Sequence, residues 1–178
     1  LARPTPYSWS IGDIIATAIL NGIRDALTWS QNPPDFIGIQ GTTVQSIGNS
    51  AWTALNLDTN TLDSYSGHST TSNTSRYVCQ AGTAGWYTCG GVFAAAANST
   101  ANRGGRLQVN GSPIEGAAAF AAAAGTGNAT GVVTPTRDIY LNVGDYLELA
   151  AWQGSGGALN TAIFSDITTA LWARFSHA

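Results

Sequence analysis

Arg106-Leu107-Gln108-Val109-Asn110-Gly111 is the stretch on which the fold turns. Its first four residues alternate polar and apolar, the period-two pattern that sends one strand face to a core and the other to water. Asn110-Gly111 follows at once, and both residue types tolerate the positive φ that a two-residue type I′ turn requires. A strand, a tight turn and a returning strand are therefore expected here. Working outward, Ile139-Tyr140-Leu141 leads through Asn142-Val143-Gly144-Asp145 into Tyr146-Leu147-Glu148-Leu149-Ala150-Ala151-Trp152, and the chain closes on Ala170-Leu171-Trp172-Ala173-Arg174-Phe175. Upstream, Phe36-Ile37-Gly38-Ile39, Ala51-Trp52-Thr53-Ala54-Leu55-Asn56-Leu57 and Arg76-Tyr77-Val78-Cys79 read as β segments between turn residues. About eight to ten strands in one domain predict a β-sandwich. The alanine-rich run 116–124 has a helical composition, but it is short, bounded by glycine and set between strands, so tertiary context is expected to override it.

The composition agrees and excludes much. The 178 residues are enough for one buried core, and 21 glycines with only 10% charged residues suit a many-stranded protein with tight turns. All seven basic residues are arginine, the formal net charge is −3, and no basic face adequate for nucleic acid can be assembled. No apolar run reaches the roughly 18 residues of a membrane span. The N-terminal residues lack the basic, apolar, small-residue order of a signal peptide.

Residues 1–34 differ from the rest. Arg3-Pro4-Thr5-Pro6 predicts an extended arm, because neither proline has an amide to donate. Ser10 with Asp13 marks a helix start, Trp9 and Ile14 stand at the positions of a hydrophobic staple, and Asn32-Pro33-Pro34 marks a stop. Ile11, Ile14, Ile15, Ala18, Ile19, Ile23 and Leu27 recur at three- and four-residue steps, so a helix is expected over about 11–29 with an apolar side. That side packs either on its own domain or on copies of the chain or a neighbouring protein. The stiff diproline joint, which sets residues 1–34 apart from the body at 35–178, favours the second.

Two stretches carry a resemblance to a known family. Asn73-Thr74-Ser75-Arg76-Tyr77-Val78-Cys79 with Gly85-Trp86-Tyr87-Thr88-Cys89, and Val143-Gly144-Asp145-Tyr146-Leu147-Glu148-Leu149, resemble the aromatic strand, glycine-led strand and Gly-Asp strand entry of TNF-like jelly rolls. The likeness is strongest to the globular head of complement component one, subcomponent q, and covers about residues 36–176. Two departures stand out: the segment between Tyr77 and Gly85 is longer by two residues than usual, and Cys89 replaces an aromatic residue. The fold expected from the resemblance is an all-β jelly-roll sandwich, with an arm and helix in front, assembled as a homotrimer. Tyr77, Trp86, Tyr87, Trp152, Trp172 and Phe175 are the aromatics it assigns to the trimer contact or the core.

The arm and helix standing where the complement proteins carry collagen resemble short structural proteins of tailed bacteriophages of high-GC actinobacteria. Arginine without lysine accords with high-GC coding. The resemblance implies a non-enzymatic virion structural protein on the particle surface, either a capsid decoration or head fibre or a minor tail protein. Its expected partners are its own copies and phage capsid or tail proteins held through residues 1–34. The alternative is an adhesin of a tail tip or secreted bacterial protein that binds a receptor or host surface glycan, because aromatic faces stack on sugar rings and amides bond hydroxyls.

No chemistry is expected. Gly67-His68-Ser69 fails the Gly-x-Ser-x-Gly elbow, and Gly154-Ser155-Gly156-Gly157 lacks the Lys-Ser/Thr of a phosphate loop. No cofactor is expected. Asp58, Asn60 and Asp63 are spaced as oxygen ligands for an ion, yet the glycine and terminal glutamate of an EF-hand loop are missing. Cys79 and Cys89 either face each other across a hairpin as a disulfide or remain buried thiols.

Overall fold

The turn at Asn110 and Gly111 forms as its residues require, with φ of 53° and 77°, and Val109 pairs with Ser112 across it. In the computed structural model, which describes Ser8 and residues 17–177, this turn joins two neighbouring strands of one sheet. In chain order the elements are α1 (Thr17–Gln31), β1 (Asp35–Ile39), β2 (Ser46–Ile47), β3 (Thr53–Ala54), β4 (Thr59–Asp63), β5 (Tyr77–Val78) and β6 (Gly85–Ala95). There follow β7 (Asn102–Val109), β8 (Ser112–Ala122), β9 (Thr130–Val133), β10 (Arg137–Leu141), β11 (Tyr146–Gln153), β12 (Leu159–Asn160) and β13 (Ala170–His177). The alanine-rich run lies in strand β8, because its pairing with β7 supplies the backbone partners that an isolated helix would otherwise provide.

Two sheets face each other. One has the order β10-β6-β13-β1-β4, with β9 also paired to β6; the other has the order β3-β11-β7-β8, with β5 also paired to β11. A short third pair joins β12 to β2. Between the sheets lie Phe36, Tyr77, Tyr87, Phe93, Leu107, Leu147, Leu149 and Leu171, all buried. Each such side chain contributes roughly 1.5–3 kcal/mol over its exposed state. The alternation is regular: Phe36, Cys89 and Ala173 point inward from β1, β6 and β13, while Ile37, Gly90 and Trp172 point out.

The structure departs from the sequence expectations in several places. Of the segment 51–57 only Thr53–Ala54 joins a ladder with β11; beyond it Leu55 N–H donates to Leu149 O at 2.9 Å, and Leu57 N–H turns to Thr74 O at 2.9 Å. The chain there crosses from one neighbour to another. Residues 59–63, weighed as an oxygen-rich loop, are strand β4 at the edge of the larger sheet. Arg103, inward-facing on β7 and fully buried, donates to the oxygens of Thr100, Asn102 and Asn98 at 2.9–3.2 Å, tying down the loop that precedes its strand.

The helix runs two residues beyond the expected end, to Gln31. Ile11, Ile14, Ile15 and the Ser10 cap lie outside the described residues. None of Ala18, Ile19, Ile23 and Leu27 is buried. The C-terminal end of the helix is fastened to the body: Trp29 meets Phe175 edge to face at 4.9 Å, and Phe175 N–H donates to Pro34 O at 3.0 Å. Ser64 Oγ donates to Pro33 O at 2.9 Å and Tyr65 OH to Asn32 O at 3.2 Å, so the diproline joint is stitched along its length. No described helix is long and apolar enough to cross a membrane.

Candidate functional site

The solvent-side face of the β10-β6-β13-β1-β4 sheet is built in rows by its register. One row runs Gly90, Trp172, Ile37, Leu62, and the row beside it runs Val133, Val92, Ala170, Ile39. Glycine at position 90 is what lets Trp172 lie across β6, since a Cβ there would stand 2.6 Å from the indole Cε2. A polar row follows, in which Thr88 Oγ1 donates to Asp138 at 2.7 Å and Arg174 pairs with Asp35 at 3.3 Å. Beyond it Trp86 packs against Tyr140 at 5.6 Å and on His177 at 6.0 Å. Val133, Tyr140, Trp86 and Leu62 all stay exposed to water.

The face of the second sheet differs. On β11 and β7 the outward pairs are Trp152 with Gly104, Ala150 with Arg106, and Glu148 with Gln108. The Phe120 ring, opposite Gly104 on β8, stands where a Gly104 Cβ would be, at 2.6 Å, and is flanked by Trp52 at 5.8 Å and Trp152 at 5.7 Å. Arg106 lies over the Trp52 ring at 4.3 Å.

At one end of this sheet a cavity of about 430 Å³ is lined by Ser66, His68, Ser69, Asn73, Arg76 and Tyr146 among others. Arg76 stacks on the Tyr146 ring at 4.1 Å, and its Nε donates to the buried Glu148 at 3.2 Å. Glu148 also accepts from Ser75 Oγ and Gln108 Nε2, at 2.7 and 2.9 Å. His68 is spoken for at both ring nitrogens, with Asn60 Oδ1 at 2.6 Å and Thr74 O at 2.9 Å. No nucleophile hydrogen-bonds to it among the described residues, so the arrangement orders a loop.

The candidate ion ligands do not converge. Asp58 accepts from the N–H groups of Gly41, Thr42 and Thr43 and from the hydroxyls of Thr42 and Thr59. Burial works to raise its pKa, but the Thr42 hydroxyl and the N–H groups of Gly41, Thr43 and Thr42 outweigh it and hold the carboxyl well below the usual range. Asp63 accepts from the N–H groups of Gly67 and His68, both at 2.9 Å, and Asn60 faces His68. All three are anchors for loops. Of the assigned aromatics, Tyr77 and Tyr87 lie in the core, Phe175 joins them from the inner face, and Trp86 and Trp172 lie on the outer face of the larger sheet. Trp152 is on the opposite sheet, away from the others. Cys79 and Cys89 are separate buried thiols, contacting Thr83 Oγ1 and Tyr87 O respectively, both at 3.4 Å. Burial pushes the Cys89 pKa up to about 12, with Asp138 adding to it, and raises that of Cys79.

Sequence reading missed the clustering of Trp52, Phe120 and Arg106. Its signal was the placement of Gly104 and Arg106 at alternate positions of one strand, which needs the register of β8 before it can be read.

No protein-family model and no curated protein matches the chain. Solved structures do. The globular domain of zebrafish complement 1qA protein superposes with a TM-score of 0.57 at 10% identity, over 82% of this chain and 99% of that one. Murine APRIL gives 0.56 at 10% identity, over 80% and 98%, and the Eiger TNF of S. frugiperda gives 0.53 at 14%, over 82% and 95%. The fold of this chain is therefore the TNF-like jelly-roll β-sandwich, preceded by a helix.

Proposed function

We propose that the chain is a non-enzymatic, self-associating module: a homotrimer displayed on the surface of a bacteriophage virion, with residues 1–34 as its attachment segment and capsid decoration as its role. The carrying observation is the outer face of the larger sheet, where Trp172, Ile37, Leu62, Val92 and Val133 form two adjoining apolar rows, with Leu62 and Val133 exposed and the other three half-buried. A contiguous apolar face of this kind is stabilised by association, and aromatic anchors at its centre are what interfaces concentrate. The exposed Leu20, Ile23 and Leu27 on the helix suit a second contact, to the particle. The use of arginine without lysine, which accords with high-GC coding, supports the phage setting.

The test is the mass in solution by light scattering, for the full chain and for a shortened chain beginning at Pro33, which keeps the bonds from Ser64 and Phe175 to the diproline. A threefold mass in both places association in the jelly roll. A monomer in both removes the trimer, and absence of the protein from purified particles removes the virion role. A second reading, recognition of a host surface glycan by an adhesin, draws on a different observation: the smaller sheet turns Phe120 to water between two tryptophans.

A further inference from the structure

Among the described arginines, Arg24, Arg76 and Arg174 each have a carboxylate within ion-pair distance, and Arg103 is surrounded by carbonyl oxygens. Arg106 and Arg137 have none, and of these two Arg137 is exposed while Arg106 is half-buried against an aromatic ring. Arg106 has no carboxylate partner among the described residues. Its one hydrogen bond is from Nη2 to Gln108 Oε1, at 3.4 Å, and its Nε is buried with no partner. A guanidinium offers five donors in a planar fork that fits a carboxylate, so this one presents unfilled donors and an uncompensated charge. It is also held in place, with its Cζ 4.3 Å over the Trp52 ring and a strand position fixed by Ala150 and Ala118 on either side.

The neighbouring surface is aromatic. Trp52 touches both Arg106 and Phe120, and Phe120 touches Trp152, so the four side chains are contiguous. The rings of Trp52 and Trp152 are inclined at 69° and 70° to Phe120, which remains 57% exposed. Two glycines bring these rings down onto the sheet: a Cβ at Gly104 would meet Phe120 at 2.6 Å, and one at Gly154 would meet Trp152 at 2.7 Å. Aromatic faces carry negative charge and attract the polarised C–H groups of a sugar ring, while a guanidinium next to them attracts an acid.

We infer that Trp52, Arg106, Phe120 and Trp152 form a binding site for a glycan containing uronic acid, with the sugar rings on Phe120 and Trp152 and the carboxylate on the Arg106 fork. The inference rests on the glycan-binding reading given under the proposed function and is independent of the trimer. Charge complementarity selects this occupant over a neutral sugar. Sheet placement leaves the site on the opposite side of the sandwich from the apolar rows, open in an assembly built through those rows.

The test uses the full chain with α-1,4-linked trigalacturonate and its methyl ester, which has the same rings without the charge, followed by calorimetry and tryptophan fluorescence. Saturable binding of trigalacturonate is expected, with the ester about tenfold weaker, the scale of a hydrogen bond to a charged group. Arg106→Gln is expected to bring trigalacturonate down to the level of the ester and leave the ester unchanged. Phe120→Ala is expected to weaken both about tenfold, with its melting temperature held because the ring is exposed. Should Arg106→Gln not fold, Arg106→Lys keeps the charge without the fork and is expected to bind between wild type and ester. No saturable binding of either ligand at millimolar concentration overturns the uronic-acid site. Wild-type affinity in both the Arg106 and Phe120 variants overturns this site while the glycan reading stands. Equal affinity of acid and ester overturns the carboxylate assignment.

Discussion

Replacing Gly90 by alanine should damage the chain through one side chain, Trp172. The indole crosses β6 where the Cβ would stand: Cε2 would have to move from 2.6 Å to at least 3.4 Å to reach ordinary contact, and Cζ2, which lies nearer still, by more. Gly90 φ is not positive, so the alanine backbone is unstrained, and losing glycine itself contributes about 0.5–1 kcal/mol of stability. Overpacking costs about 1–3 kcal/mol, so the net loss is expected between about 0 and 2.5 kcal/mol. For a chain of this size that lowers Tm by up to roughly 10 °C at fixed protein concentration. In a Trp172→Ala background the obstruction is gone, and the same substitution should be neutral or stabilising. The coupling between the two sites is then the overpacking itself, about 1–3 kcal/mol, well above the 0.3–0.5 kcal/mol within which distant sites add. Thermal melts of the four chains read this directly. Under the proposed trimer, light scattering on Gly90→Ala should show weakened self-association, because a raised indole no longer lies level with Ile37 and Leu62. Additive costs, with Gly90→Ala melting like wild type in both backgrounds, would refute the placement of the ring and with it the apolar row.

Asp58→Ala removes the acceptor of four donors from residues 41–43 and of the Thr59 hydroxyl and is expected to cost about 1–2 kcal/mol at pH 7. Because the folded pKa is depressed, that contribution is complete above the unfolded value near 3.9 and is lost as pH falls toward the folded value. The gap between wild type and variant in urea melts should therefore narrow only below about pH 4, and a gap constant to pH 2 would contradict the arrangement. Native protein should react slowly with a thiol reagent at pH 8, since burial keeps both cysteines protonated, and both should react at once in denaturant. Ile23→Asp with Leu27→Asp should leave the melting of the body within about 0.5 kcal/mol of wild type, because both side chains are exposed, while abolishing the proposed attachment, read as co-sedimentation with particles. Retained co-sedimentation would count against the helix as anchor.

Strand patterning was legible wherever polar and apolar side chains alternate, as in Leu107 and Val109 flanking Gln108. The Asn110-Gly111 turn was legible because only a few residue types tolerate its φ. The strand at Thr59–Asp63 was not, since an edge strand whose middle residues face water carries no apolar alternation. Aromatic residues announced packing without saying where. Tyr77 and Tyr87 fill the core, Trp172 covers a glycine outside it, and Trp152 belongs to the other sheet. Which of these a given ring does depends on register, and register is set by pairing partners distant in sequence. The contact between Arg106 and Trp52 is of the same kind.

The larger sheet places β13, the last of the described strands, between β6 and β1, so Asp35 finds Arg174 across 139 residues. During synthesis the sheet therefore exists as two halves with a gap in the middle. Until Ala170–His177 emerges, β1 and β6 each present a bare edge, and loop closure over that span makes the final step slow. Unpaired edges are the sites at which unfinished chains join one another. A ribosome that stops before residue 170 releases a product primed to aggregate, and yield in expression should depend more on the completeness of the last strand than on any loop.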